Sequence, residues 1–101
     1  MRAYAILPDA PVGFMLDIDN ELEALQTFVR GYIETVTIFD DLVVICNEEG
    51  RLRNMPFCCN ILGYAFMGPI LLVGRDGEEF ADLPEKFQED LNWMRKGLGV
   101  K

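Results

Sequence analysis

Carboxylate, amide and guanidinium groups occur close together in the middle of this 101-residue sequence. These groups belong to Glu34, Asn47, Glu48, Arg51 and Arg53, which flank two predicted turns and lie near Tyr32. Such groups could line a small polar pocket near Glu34 and Arg51 that binds a ligand such as a nucleotide. They could equally pair with one another at the surface, because surface ion pairs are common and only weakly stabilising. The residues leave both interpretations open.

Two residue types that carry much of enzyme chemistry are missing, since the sequence has no histidine and no serine. Their absence excludes a Ser-His-Asp triad, a Cys-His dyad and a zinc site with histidine ligands. A general base supplied by Glu34 or Glu48 remains as a minor alternative. We therefore expect a protein that is not an enzyme and that has no catalytic residues and no cofactor.

The spacing Asp17-x-Asp19-x-Glu21 is similar to the start of a calcium-binding loop. Leu22 stands where that loop requires glycine, and Phe28 stands where its bidentate acid belongs. Charge at a helix N-terminus explains these acids better. The sequence therefore predicts no metal site.

Three cysteines, Cys46, Cys58 and Cys59, are an odd number, and two of them are adjacent. Adjacent cysteines rarely pair with each other, and an odd number does not suit a secreted disulfide framework. We interpret Cys58 and Cys59 as buried structural residues rather than a reactive site. Reduced thiols and the absence of a signal-peptide pattern favour a cytoplasmic location.

The net charge of −8 lies entirely in the first half of the chain. Residues 1–50 contain ten acidic and two basic residues, whereas residues 51–101 contain seven of each. This balance argues against direct binding to nucleic acid and to anionic membranes, since both require clustered basic side chains. The longest apolar stretch, residues 61–73, contains Gly63, Gly68 and Pro69 and cannot span a bilayer. An acidic mimic of DNA that blocks a nucleic-acid-binding protein remains an alternative.

Hydrophobic patterning predicts the elements that would position these side chains. Strands are predicted over residues 2–7, 12–17, 32–39, 42–46, 51–53 and 69–74, and helices over 21–30 and 84–96. Residues 54–60 are predicted to be irregular, and residues 61–66 fit either a turn or a strand. The order predicts a single α+β domain over residues 1–101. Its mostly antiparallel sheet has about five to six short strands, with two helices packed on it.

Local signals predict how the first helix and the central turn end. Asn20 and Glu23 have the spacing of a capping box, and Gly31 is predicted to be a left-handed residue after the helix. Asn47 is predicted to open a turn in which Gly50 has a positive φ.

Several of these residues form a pattern that resembles the family called domain of unknown function 3846. The pattern comprises Leu25-x-x-x-Val29-x-Gly31-Tyr32-Ile33-Glu34, then Asn47-Glu48-Glu49-Gly50-x-Leu52 and Pro56, and finally Gly68-x-Ile70-x-x-Val73-Gly74. The resemblance covers about residues 1–83. It implies a small bacterial protein of the kind carried by phages and conjugative elements of gut Firmicutes, and it implies no reaction. The motif positions that transfer are Gly31, Tyr32, Glu34, Asn47, Glu48 and Gly50.

Together these observations predict a non-enzymatic binding or regulatory module, and the resemblance implies that it belongs to a mobile element. Its partner would be a protein or a small ligand, and the large apolar share of so short a chain also suggests a homo-oligomer. The predicted binding residues are the six motif positions and Arg51.

Overall fold

The computed structural model describes residues 1–10 and 12–89. Along these residues lie eight strands and two helices, in the order β1 (Arg2–Ile6), β2 (Phe14–Asp17), α1 (Leu22–Val29), β3 (Ile33–Phe39), β4 (Leu42–Asn47), β5 (Phe57–Ile61), β6 (Tyr64–Met67), β7 (Ile70–Asp76), β8 (Glu79–Ala81) and α2 (Glu85–Glu89). The predicted α+β class is confirmed.

Six of the strands form one antiparallel sheet in the order β2-β1-β7-β4-β3, with β8 paired to the end of β7. Strands β4 and β7 lie in its centre, and every residue of β4 is buried. A strand covered on both faces needs a continuous apolar run, which is what residues 42–46 and 70–73 provide. The other two strands, β5 and β6, form a separate hairpin.

Alternate residues of the central strands face two different cores. On one face, α1 packs Leu25 and Val29 against a first set of sheet residues, among them Val43, Ile45 and Leu71. On the other face, the β5–β6 hairpin and α2 pack against a second set, which includes Leu42, Val44 and Leu72. The fold therefore has three layers, with the six-stranded sheet in the middle.

The segment between β4 and β7 differs most from the prediction. Residues 51–53 are not a strand but belong to a run of turns, in which the Arg53 amide donates to the Glu49 carbonyl oxygen. The region predicted to be irregular contains β5, which pairs with β6 and covers the sheet. Strand β8 was also not predicted. The secondary structure of these segments depends on tertiary packing, because their local sequence patterns are weak.

The predicted capping box of α1 is wrong. Glu21 holds the N-cap position without a side-chain hydrogen bond, while the Asn20 amide donates to the Phe80 carbonyl oxygen at 2.9 Å. Asn20 therefore ties the start of the helix to β8. At the other end, Arg30 rather than Gly31 is the left-handed residue, with a φ of 67°.

Helix α2 is held on the tip of the β3–β4 hairpin. The Lys86 ammonium lies 2.7 Å from the Asp41 carboxylate, and the rings of Phe87 and Phe39 stack with centroids 6.0 Å apart. The part of the predicted helix beyond residue 89 lies outside the described residues. Within the described part of the chain, no helix is long and apolar enough to cross a membrane.

Candidate functional site

A cleft of about 650 Å³ opens on the sheet face that carries the β5–β6 hairpin. Its polar groups come from β3, from the end of β4 and from the turns that follow, as Glu34, Asn47, Glu48 and Arg51. Its apolar groups come from the sheet and from the hairpin, mainly as Val36, Cys46, Phe66 and Met67. The cleft therefore joins a charged rim to an apolar floor.

Strand alternation explains which side chains enter the cleft. In β3, Glu34 and Val36 project towards the hairpin, whereas Ile33 packs with α1 on the other side. Glu34 lies directly opposite Cys46 of β4 in the antiparallel register. The placement of Glu34, a predicted binding residue, and of the floor beneath it thus depends on the register of one strand pair.

Asn47 connects the elements around the cleft, and the residue is only 5% exposed. Its Nδ2 donates to the Val29 carbonyl oxygen at 2.9 Å, and its Oδ1 accepts from the Glu49 amide at 2.7 Å. The first bond satisfies a carbonyl at the end of α1, where no further helical amide is available. The second bond fixes the first residues of the turn, as predicted for Asn47.

Gly31 allows two side chains to reach the end of the helix. Arg53 Nη1 donates to the Arg30 carbonyl oxygen, next to the bond from Asn47 to Val29. A Cβ atom on Gly31 would lie 2.8 Å from Arg53 Nη1 and 2.8 Å from Asn47 Nδ2. Close approach, rather than the predicted left-handed conformation, is the reason for glycine here.

Gly50 brings the turn against β6. The predicted positive φ is wrong, since Gly50 is not among the glycines that adopt one. Instead, a Cβ atom at this position would lie 2.9 Å from the Met67 carbonyl oxygen. The glycine therefore allows the turn and the hairpin to meet, and this contact closes one wall of the cleft.

The remaining predicted residues are solvent-exposed. Glu34, Glu48 and Arg51 line the cleft. Tyr32 is 68% exposed and lies outside the cleft, but its carbonyl oxygen accepts from the Glu48 amide at 2.9 Å. Of the seven predicted positions, the cleft brings together Glu34, Asn47, Glu48, Gly50 and Arg51.

Mutual ion pairing was one of the two open interpretations of the polar cluster, and the ion pairs among the described residues lie elsewhere. They join Arg2 to Asp17 and Lys86 to Asp41, and neither pair involves the cleft. The hairpin side of the cleft, including Tyr64 and Phe66, was missed. No motif marked these residues, because they come together only when the hairpin folds onto the sheet.

The two adjacent acidic pairs, Asp40–Asp41 and Glu48–Glu49, lie at opposite ends of β4. Asp41 is engaged by Lys86, and this hydrogen bond and charge hold the pKa of the Asp41 carboxyl below its usual value. Among the described residues, no group of three or more cysteine, aspartate and glutamate side chains could hold a metal ion.

All three cysteines are free thiols, and Cys59 is fully buried. Cys58 Sγ donates to the Ile6 carbonyl oxygen at 3.6 Å. A hydrogen bond with Cys59 and burial both raise the pKa of Cys58. Burial and the nearby Glu34 carboxylate raise the pKa of Cys46 to about 11. Because the thiolate is the reactive form, we expect Cys46 to react slowly at neutral pH.

The raised pKa of Cys46 predicts a loss of stability at alkaline pH. Between the ordinary value of 9.0 and about 11, the folded state keeps a proton that the unfolded chain has lost. The stabilisation is therefore complete below pH 9 and is lost as the pH rises to 11, by about 1–2 kcal/mol once solvent screening is allowed for. Urea unfolding at pH 8, 9, 10 and 11 measures it, and the fall should be shallower in Cys46→Ala. Equal slopes for both proteins would contradict the assignment.

Comparison with known proteins places the chain in a family. No curated protein matches it, and no solved structure matches it. The sequence model of the family described as a domain of unknown function, DUF3846, matches residues 1–94. The match spans the sheet, both helices and every residue that lines the cleft. The chain therefore belongs to the family called domain of unknown function 3846.

Proposed function

We propose that this chain is a non-enzymatic binding module whose ligand occupies the cleft between β3, β4 and the β5–β6 hairpin. One observation carries the proposal: the cleft collects Glu34, Asn47, Glu48, Gly50 and Arg51 above an apolar floor. Concave sites that combine an apolar surface with a few convergent polar groups are typical ligand sites. Asn47 and Gly50 build the wall, while the charged side chains remain free for a ligand.

The charges of the cleft favour a ligand with a positive group. Two carboxylates, Glu34 and Glu48, face one guanidinium, Arg51. A nucleotide would bring its phosphates close to both carboxylates, and like charges at short range are costly. A ligand with a cationic head and an apolar body would instead match the rim and the floor.

Binding fits the site better than catalysis. Glu34 and Glu48 are both exposed to solvent, and the cleft offers no histidine or serine to act with them. A general base works best when it is held at the reacting atom in a site that excludes water. The family resemblance implies a bacterium that carries mobile elements, and the three free thiols fit a reducing compartment such as the cytoplasm.

The positions of the acidic residues favour ligand binding in the cleft over mimicry of DNA by an acidic face. Asp40 and Asp41 lie at one end of the β3–β4 pair, whereas Glu48 and Glu49 lie at the other. A strand of this length separates the two groups by about 17–20 Å. Lys86 also neutralises Asp41. These four acids therefore lie in two separate patches rather than in one row.

Thermal unfolding with three small probes tests the proposal. Phenethylamine combines an ammonium group with an aromatic body, phenylacetate reverses the charge, and adenosine monophosphate represents a nucleotide. A ligand that binds only the folded state raises the unfolding midpoint. We expect phenethylamine at millimolar concentration to raise the midpoint more than the other two probes do.

Variants with the same net charge show where the probe binds. Glu34→Gln/Glu48→Gln should weaken the response at least about tenfold in apparent affinity, since two charge contacts are lost. Asp19→Asn/Asp40→Asn removes two exposed acids outside the cleft and should leave the response unchanged. Equal losses in both double variants would attribute the effect to net charge and reject the cleft as the site.

A further inference from the structure

Strand β3 lies at the edge of the six-stranded sheet, and its backbone has a free side. The Glu48 amide donates to the Tyr32 carbonyl oxygen, so Tyr32 bonds towards β4. In an antiparallel pair, alternate residues bond to the neighbouring strand, so Glu34 and Val36 also bond towards β4. Ile33, Thr35 and Thr37 therefore direct their N–H and C=O groups away from the sheet.

Little in β3 protects this edge. Edge strands are usually blocked by charged side chains, above all lysine, by proline, by short length or by bulges. Strand β3 is seven residues long and contains neither lysine nor proline, and Glu34 is its one charged residue. Its register is regular up to Thr37, before the irregularity that precedes Phe39. The opposite edge strand, β2, has only four residues and ends at Asp17, which is paired with Arg2. The edge of β3 is therefore the more open of the two.

The free edge adjoins the cleft. Glu34 and Val36, which line the cleft, are the residues between Ile33, Thr35 and Thr37 in the same strand. A strand added beside β3 would place every second side chain on the hairpin face, next to Glu34 and Val36. The free edge of β3 and the cleft can thus bind the same extended ligand.

We propose that an extended segment of a basic protein partner adds to β3 as a further strand and directs alternate side chains into the cleft. Main-chain hydrogen bonds to Ile33, Thr35 and Thr37 would hold the segment, and side-chain pockets would select it. A lysine or arginine would meet Glu34 and Glu48, and an apolar neighbour on the same face would meet Val36. This inference rests on the proposed function and names its ligand class.

Charge favours a basic partner over a second copy of this chain. Each chain carries a net charge of −8, so two copies would repel each other. Pairing of two β3 strands would also bring two Glu34 side chains near each other across the new ladder. A basic segment reverses the sign of both effects.

Amide hydrogen exchange of the full-length, isotope-labelled chain tests the inference. The probe is a short synthetic peptide in which lysine and valine alternate, and its control alternates glutamate and valine. In the free protein, the amides of Ile33, Thr35 and Thr37 should exchange faster than those of Glu34 and Val36. Saturation with the lysine peptide should slow exchange at Thr35 at least about tenfold, and the glutamate peptide should not.

Two variants of one residue separate backbone from side-chain contacts. Thr35→Pro removes an N–H that faces away from β4, a position at which an edge strand tolerates proline, and should weaken the lysine peptide about tenfold or more. Thr35→Val keeps that amide and should bind within about twofold of the parent. If Thr35→Pro fails to fold, the protection of Thr35 in the parent chain by the lysine peptide tests strand addition by itself.

The outcomes distinguish this inference from the function on which it rests. Shifts of cleft resonances without new protection at Ile33, Thr35 and Thr37 would overturn strand addition and leave the cleft as the site. Absence of both effects would overturn strand addition, while a response to phenethylamine that Glu34→Gln/Glu48→Gln weakens would still support the cleft as a ligand site. Protection of the β3 edge without peptide, together with a dimer in sedimentation, would identify a second copy as the occupant and reject the basic partner.

Discussion

Replacing Asn47 with alanine is expected to lower the free energy of unfolding by about 2–4 kcal/mol, because the side chain makes two buried hydrogen bonds. The substitution leaves the Val29 carbonyl oxygen without its donor, in a place that water does not reach easily. It also removes the acceptor of the Glu49 amide, so the end of α1 and the turn after β4 both lose their anchor. Urea unfolding at pH 7 measures the change.

Asn20 provides a matched control for this prediction. Its amide also donates to a backbone carbonyl oxygen at 2.9 Å, but the bond is exposed to solvent. Asn20→Ala should therefore cost less than about 1 kcal/mol, since water replaces the lost partner. Equal costs for the two alanine variants would contradict the role assigned to the buried amide.

Shortening Leu72 to alanine is expected to cost about 3–5 kcal/mol, the range for large cavities in a rigid core. Leu72 is 0% exposed and lies in the central strand β7, on the face covered by the β5–β6 hairpin. Its neighbour Leu71 is equally buried but faces α1. Because the two residues belong to separate cores, Leu71→Ala should have a loss of similar size.

The exposed Leu52 provides a control for the two core variants, Leu71→Ala and Leu72→Ala. Leu52 is 84% exposed in the turn after β4, so Leu52→Ala should change the free energy of unfolding by no more than about 0.5 kcal/mol. A loss at Leu71 with little loss at Leu72 would mean that the hairpin does not cover its face of the sheet. The cleft would then lack its second wall.

The predictable parts of the fold are those whose sequence pattern has one physical solution. The continuous apolar runs of β4 and β7 are short and are bounded by turn residues, which favours buried strands over helices. The spacing of Leu25 and Val29 places one face of α1 on the sheet. The hairpin of β5 and β6 was not predictable in the same way. Cys58, Cys59 and Asn60 show no clear alternation, and their pairing depends on the sheet beneath them.

Only one side of the candidate site was predictable, namely the residues of β3, β4 and the turns that follow, and not those of the β5–β6 hairpin. The spacing of Glu34, Asn47, Glu48 and Arg51 around two turns indicated that they would lie together, and they do. The predicted reasons for Gly31 and Gly50 were wrong. The sequence suggested that each glycine adopts a positive φ that other residues avoid, whereas close contacts with neighbouring residues are what require glycine at both positions. Gly31 makes room for Asn47 and Arg53, and Gly50 makes room for the backbone of Met67. Such contacts join residues far apart in sequence and leave no local signal.

The most direct test of the cleft as the binding site is the amide NMR spectrum of the labelled full-length chain during titration with the lysine–valine peptide. We predict that the largest shifts occur at residues 34–36, 46–52 and 64–67, which surround the cleft. We also predict that Glu34→Gln/Glu48→Gln raises the peptide concentration needed for these shifts at least about tenfold, while the spectrum stays that of a folded protein. Largest shifts at Asp40 and Asp41, or equally at every acidic patch, would contradict the account.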